Sequence, residues 1–542
     1  MAPPSRRPST KLPEELELDL RLDEPDDEAS LKARAARMLH TRPEAIPFAA
    51  VRKRSIDARK GQVRFHVLLA LRPDEGIDRG QLGLPLPREC AGPVRVIIVG
   101  DGPAGLFCAY ELARAGVRAI VLDRGKQVQP RRHDLKGLQR RGTVHPDSNY
   151  CFGEGGAGTY SDGKLYTRAH KRGDVRDVIE TLALHGAPDA ILVDARPHIG
   201  SNKLPKVITA MRERLEASGV DFRFESRVVD LEVRGAGSDR RVTGVRLEGG
   251  EILEADHVVL ATGHSARDVF HLLLERGVRL EPKAFALGVR IEHPQPLIDR
   301  IQYGRDFGHP KLPAAYYRLA HEVEGRGVFS FCMCPGGWIV PASTEPDGLV
   351  VNGMSLSRRD SPFANSGLVV GVEPSDWERA GFSGPLGGVE LQRAIEVRAM
   401  RAGGDDLAAP ATRVSDFLAG RGSSTVPDTS YLPGLVAADV AEVLDGAGLS
   451  FSAKLREALR AFDRRMHGYA TEEAVLVATE SRTSAPVRVP RDGESLEALD
   501  LAGLYPAGEG AGYAGGIVSA AMDGMRIGRA IARRVGAARE AT

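Results

Sequence analysis

The sequence predicts an α/β fold. A single Rossmann-like dinucleotide-binding domain of three-layer ββα type is interrupted by an inserted α+β cap and preceded by a small ferredoxin-like α+β domain. Three observations carry this reading. Residues 94–123 run as buried strand, glycine turn, helix, second strand and acidic tip. A second glycine-rich turn, at residues 508–516, feeds a long helical stretch at the far end of the chain. Ahead of both, residues 14–71 alternate as strand, helix, strand, strand.

The small N-terminal unit comes first. Residues 1–12 are rich in Pro, Ser and Arg and read as a disordered tail. Leu16, Leu18, Leu20 and Leu22 alternate as a strand, and Leu31, Ala35, Met38 and Leu39 recur at helical spacing. Residues 48–56 and 63–71 supply two further strands. The basic stretch Arg52-Lys53-Arg54 through Arg59-Lys60 has no interleaved aromatics, so it reads as a solvated hairpin rather than an RNA-binding face. The unit spans residues 13–80, and a Gly/Pro-rich linker follows at 81–93.

The dinucleotide unit is next. Val94 to Val99 forms a strand buried on both faces. Gly100 allows the tight turn, Gly102 lets a pyrophosphate approach the backbone, and Gly105 lets helix and strand pack closely. Pro103 and Ala104 open the helix, whose free N–H groups face phosphate. Asp123, at the tip of the strand 117–122, is placed to accept hydrogen bonds from ribose hydroxyls, with Arg124 beside it. Two other stretches, Gly153/Gly155/Gly158 and Gly510/Gly512/Gly515, match the same glycine spacing. The first lacks flanking strand and helix, and the second has no room for a second strand. No dedicated nicotinamide domain is therefore expected.

That first turn fits NAD or FAD equally. The C-terminal turn favours FAD. Gly508, Glu509, Gly515, Gly516 and Ile517 would set a helix N-terminus under the pyrimidine edge of a flavin, where its partial positive charge stabilises the reduced ring. Glu509 is placed to hold ribityl hydroxyls. The strand 258–261 ends in Thr262-Gly263, where chain and cofactor pass closely, and Val228 lies in a strand that offers backbone groups to adenine. Domain limits follow: 94–280 and 481–542 for the two parts of the FAD domain, 281–480 for the cap.

The segments IIVGDGPAGLFCAYELARAG, VVLATGHSARD and GEGAGYAGGIVSAAMDG resemble the two-part FAD domain of glutathione-reductase-type flavoproteins. GEGGAGTYSDGKL, ATGHSARDVF, GVRIEHPQ, FCMCPGG and ESRTSAPVRVPRD are more narrowly similar to a family of bacterial FAD-dependent dehydrogenases with a C-terminal domain of its own. The resemblance covers nearly the whole chain from about residue 14. It implies noncovalent FAD and an oxidoreductase fold, and it does not imply a substrate. Asp123 stands where the broader group often has Glu, and either carboxylate binds ribose.

Five places supply candidate chemistry. The glycine-rich loop at 155–164 would line pyrophosphate and flavin through Gly155, Gly156, Gly158 and Ser161, with Lys164 near the flavin N1/O2 edge. His264 follows the Thr-Gly turn. Arg290 and Glu292 alternate on one strand face, to project into a substrate cavity or to form a structural pair. Cys332 and Cys334 share one face of a strand by alternation; they read as buried cysteines or, alternatively, as redox or substrate-contact thiols, although direct pairing across an extended strand is strained. Arg482 is a candidate for an anionic substrate. No His/Cys cluster supplies a metal site.

Composition sets the outer bounds. At about 150 residues per domain, 542 residues allow three or four domains. Lys+Arg 74 against Asp+Glu 73 leaves +1, which argues against nucleic acid as a partner. Glycine, 61 residues, is about 11% against a usual ~7%. No apolar run approaches the roughly 18 residues of a membrane span. Five cysteines, an odd and sparse set, and an N-terminus without an apolar signal stretch point to a reducing, cytoplasmic setting.

The function expected is an FAD-dependent oxidoreductase that passes hydride between a small-molecule substrate or NAD(P)H and flavin N5, any nicotinamide docking transiently in the cap. The alternative is an FAD-carrying RNA-modification or macromolecule-binding protein recruited through the N-terminal domain. An oxidase is a third reading.

Overall fold

The strand Ala91–Val99 explains the layering. Its side chains alternate, so Val96 and Ile98 enter one apolar core while Ile97 and Val99 enter another on the opposite face. A strand buried on both faces needs a layer on each side. The computed structural model, which describes residues 12–58, 62–71, 85–167 and 173–540, supplies both. The predicted tail at 1–12 (but for Leu12), the Arg59-Lys60 end of the basic stretch and the start of the linker lie outside the described residues.

The central sheet has five parallel strands in the order Leu504–Pro506, His257–Leu260, Ala91–Val99, Val117–Leu122, Asp221–Arg223. On one face, the helices Pro103–Arg114 and Ile517–Glu540 pack together. On the other lies a three-stranded antiparallel sheet, Val228–Arg234, Arg241–Leu247 and Ile252–Glu254. The strand Leu504–Pro506 thus completes a sheet begun about 400 residues earlier, and the helix that follows it covers one face.

The cap is built on a seven-stranded, mainly antiparallel sheet whose centre is Phe285–Pro294, flanked by Phe363–Val372 and Val475–Glu480. The chain enters and leaves it side by side, because Glu281–Pro282 pairs antiparallel with Val487–Arg488.

The N-terminal unit has strands Glu15–Arg21, Ala50–Asp57 and Arg64–Ala70 and the helix Glu28–Met38. The third strand lies between the first two and antiparallel to both, which makes a split βαβ arrangement. Among the described residues this is three strands and one α-helix, fewer than the βαββαβ complement of a complete ferredoxin-like unit. The basic hairpin is partly neutralised: Arg52 pairs with Glu15, and Arg54 with Asp26 at 3.3 Å. Among the described residues no helix is long and apolar enough to cross a membrane.

Two buried histidines make the fold sensitive to acid. Burial pushes His257, on the parallel sheet, and His293, in the cap, down from 6.5 to about 4. The unfolded chain takes up protons near pH 6.5, and the folded chain refuses them until about 4. Stability present above pH 6.5 is therefore lost as pH falls to about 4, by up to roughly 3 kcal/mol for each histidine. Urea unfolding at pH 7 and pH 5 is expected to show a lower midpoint at pH 5. An unchanged or higher midpoint would refute the assignment.

Candidate functional site

Two glycines set the floor of the site. Gly100 has φ +102°, and a Cβ there would lie 2.4 Å from the carbonyl oxygen of Ala261. A Cβ on Gly105 would lie 1.9 Å from the Gly100 carbonyl oxygen. The missing side chain of Gly105 lets the helix Pro103–Arg114 pack on the turn and on Ile98, and that of Gly100 lets the turn approach the chain at Ala261 and Thr262. Pro103 occupies the first turn, where no N–H is needed.

Above this floor lies a cavity of about 460 Å³, within the range of cofactor pockets. Gly100, Gly102, Pro103 and Ala104 line it at the fingerprint. Asp123, Arg124 and Val228 line one end. Gly156, Gly158 and Ser161 come from the glycine-rich loop, and Thr262, Gly263 and His264 from the turn after the strand. Glu509, Gly515, Gly516 and Ile517 come from the C-terminal turn. The fingerprint turn and the C-terminal glycine turn therefore face one shared space. Gly105, Gly155 and Gly508 stand behind its wall. Gly155 has φ +75°, and the Gly508 N–H donates to Asp523 at 2.8 Å.

The residues present fit FAD. The Asp123 carboxylate accepts N–H bonds from Asp101 (3.0 Å), Gly125 (2.8 Å) and Gly153 (3.0 Å), which fixes its orientation. A carboxylate has about four acceptor sites, so one remains for a ribose hydroxyl. Arg124 lies 4.5 Å from the centre of the Phe152 ring and is held by Asp147 and Asp268. At the other end a Cβ on Gly263, Gly515 or Gly516 would meet nothing within 4 Å, which leaves backbone open to a flat ring.

One residue without a sequence signal makes the glycine loop rigid. Arg131, fully buried, donates to the carbonyls of Asn149, Tyr150, Glu154 and Gly156 at 2.8–3.1 Å.

The cap closes the cavity with Cys332, Glu480, Arg482 and the exposed Phe331. Lys164 Nζ lies 3.5 Å from Sγ of both Cys332 and Cys334 and 3.6 Å from Asp162. Burial would lower the Lys164 pKa, but the two sulfurs and Asp162 outweigh it and raise it, so the ammonium is retained. Cys332 is held well below the usual thiol range, first by a hydrogen bond from Cys334 and then by Lys164 and Arg290. Cys334 is pushed up correspondingly. Burial pushes Glu480 up to about 7, against the pull of Arg290. Burial also lowers His264, which leaves it neutral at pH 7.

Several residues depart from the sequence reading. Arg290 is fully buried and off the cavity wall, because its strand is central in the cap sheet and is covered from both sides. It bonds Glu480 at 2.9 Å, Asn365 at 3.1 Å and the Cys332 carbonyl at 3.1 Å. Glu292, also buried, accepts from Thr429 and Ser430 and does not face the cavity. Arg482 reaches the wall, but its guanidinium is bound bidentately by Glu396 at 2.9 and 3.0 Å, which leaves little charge for an anion. The two thiols converge by a different route from alternation. Cys332 has φ +45°, and the ladder shifts register between Phe331 and Cys334. Glu480 was hidden beside the more conspicuous Arg482 in the ESRTSAP segment.

Residues 93–272 match the family described as FAD binding domain, and residues 284–483 the family described as FAD-dependent protein, C-terminal domain-like. Residues 12–71 match a domain of unknown function, DUF8436. An uncharacterized protein of Clostridium beijerinckii is 40% identical over 529 residues, 94% of this chain and 96% of its own. A protein named probable fumarate reductase Ifc3, of Shewanella frigidimarina, is 27% identical over 212 residues, 35% of each chain. Among solved structures, flavin-dependent brominase Bmp2 aligns over 82% of this chain and 79% of its own, with 14% identity and a TM-score of 0.37. CtdE in complex with FAD aligns over 82% and 84%, with 12% identity and a TM-score of 0.32.

Proposed function

This chain belongs to the family of FAD-dependent proteins that carry this C-terminal domain, FAD is its cofactor, and from that premise we propose that it is an oxidoreductase whose substrate binds between flavin and cap. The observation that carries the reading is the shared cavity: cap residues Cys332 and Glu480 line the same space as Gly102, Asp123 and Gly516. The fingerprint residues and Asp123 would hold the adenosine and pyrophosphate, and Gly515 to Ile517 the flavin ring. When bound, FAD supplies hydride exchange at N5 with a small-molecule substrate or with NAD(P)H.

The residues around the ring support that chemistry. Glu480, with a pKa of about 7, can hold or release a proton at its carboxyl oxygen near neutral pH. Lys164 supplies a fixed cation to offset negative charge on the substrate or the ring. Exposed Tyr166 and Phe331 flank the mouth and present flat apolar surface to an incoming ring or chain.

Anaerobic stopped-flow mixing of the yellow protein with NADH and with NADPH, followed by a small-molecule donor screen, tests this. Loss of the flavin absorbance with at least one donor is expected. A flavin that dithionite bleaches but no nicotinamide or screened donor does would refute it.

A further inference from the structure

We propose that Cys332 and Cys334 form a redox-active dithiol on the cap side of the cavity, exchanging two electrons with the bound FAD. This rests on the reading that FAD fills that cavity. Adjacent-but-one cysteines in a regular strand point the same way but stand too far apart to join, since a disulfide needs Cβ atoms about 3.5–4.5 Å apart. This strand is not regular. The left-handed backbone at Cys332 and the register shift beside it bend the chain, so that both sulfurs gather around one lysine nitrogen, 3.5 Å from each. The bend is fastened from behind, where the buried Arg290 donates to the Cys332 carbonyl through both terminal nitrogens, at 3.1 and 3.3 Å. Cys332 faces the cavity and Cys334 is fully buried. The first is thus the exchanging thiol and the second the resolving one.

The step balances. The Cys332 thiolate and the Cys334 thiol become one disulfide; the S–H bond of Cys334 breaks and an S–S bond forms. Two electrons and one proton leave to FAD, the oxidant. In reverse, reduced FAD returns them and reopens the bond. Lys164 is a positioning residue, whose cation keeps the Cys332 sulfur charged and ready to attack.

Peptide mass spectrometry reads this directly, because residues 327–358 form one tryptic peptide with both cysteines and no other. The protein as purified is incubated in air, or reduced with dithiothreitol and desalted anaerobically, and then alkylated. The expected result is a peptide lighter by two hydrogens and unalkylated after air, and doubly alkylated after reduction. A peptide doubly alkylated under both conditions overturns the proposal. If such a protein is nevertheless yellow, the FAD reading stands and only the dithiol falls; if it carries no flavin, both fall. In the Cys334→Ser protein the unresolved thiolate should add a long-wavelength charge-transfer band to the flavin spectrum; no band at pH 8 counts against the proposal. Lys164→Met should slow alkylation of reduced Cys332 at pH 7 by roughly tenfold or more, with partial rescue by Lys164→Arg. A rate equal to that of the parent refutes the role of the lysine.

Discussion

Replacing Gly102 by tryptophan is expected to yield a folded but colourless protein. Gly102 caps the first helix with φ −73° and ψ −179°, a conformation that any residue adopts. A Cβ there would meet only Gly156 Cα, at 4.0 Å, so the substitution strains nothing locally. Beyond Cβ, however, the indole grows into the space that the pyrophosphate must fill. Losing two hydrogen bonds from helix N–H groups to a charged ligand costs about 3–6 kcal/mol, or about 10²–10⁴ in affinity. Flavin absorbance after purification measures the loss, and melting should match that of wild-type protein stripped of flavin. Normal flavin stoichiometry in this variant would displace the cofactor from the assigned seat.

The second large effect is on stability. Glu396, on the helix Gly387–Ala402, is wholly buried and accepts from Arg267 at 2.9 Å, from Arg482 at 2.9 and 3.0 Å and from Ser481 at 2.6 Å. Burial alone would raise its pKa, but the two guanidiniums outweigh this and hold it at about 2, so it is ionised at any ordinary pH. Glu396→Ala would leave the two buried arginines with only the half-buried Glu345 as counter-charge, 2.9 Å from Arg267 and 4.0 Å from Arg482. Breaking a buried pair from one side costs about 3–5 kcal/mol, and for a cap of about 200 residues that is roughly a 10 °C fall in its melting temperature. The paired arginines belong to different parts of the chain, one at the start of the helix Arg267–Glu275 and one just beyond the cap strand Val475–Glu480. Unfolding of the cap should therefore advance ahead of the rest. Differential scanning fluorimetry and limited proteolysis check both statements; unchanged melting would show that Glu396 is dispensable.

What could be read from the sequence was local. The strand at 117–122 and the turn at 100–105 were legible because each is fixed by its own residues: an apolar run, a glycine, a proline, an acidic tip. The strand 64–70 and the helix 28–38 followed from short periodicities in the same way. The reactive end was not legible, because it is made by residues that meet across long separations. Arg290 and Glu480 are 190 positions apart, and Lys164 and Cys332 are 168 apart. No periodicity announces that Arg290 is covered on both sides, that Glu396 claims Arg482, or that one residue of bulge turns Cys332 toward Lys164. Arg131 lies in an unremarkable basic stretch, and its four carbonyl partners exist only once the glycine loop has folded over it.

The Leu504–Pro506 strand has a consequence for biosynthesis. It pairs with His257–Leu260, and the cap lies between them in the chain. A nascent polypeptide leaving the ribosome can assemble the first βαβ turn early, yet it has no partner for that sheet edge until the cap has emerged and the tail follows. Such late closure makes the flavin a ligand of the finished chain. Ribosome-bound fragments ending before about residue 500 should stay without cofactor, however much FAD is present.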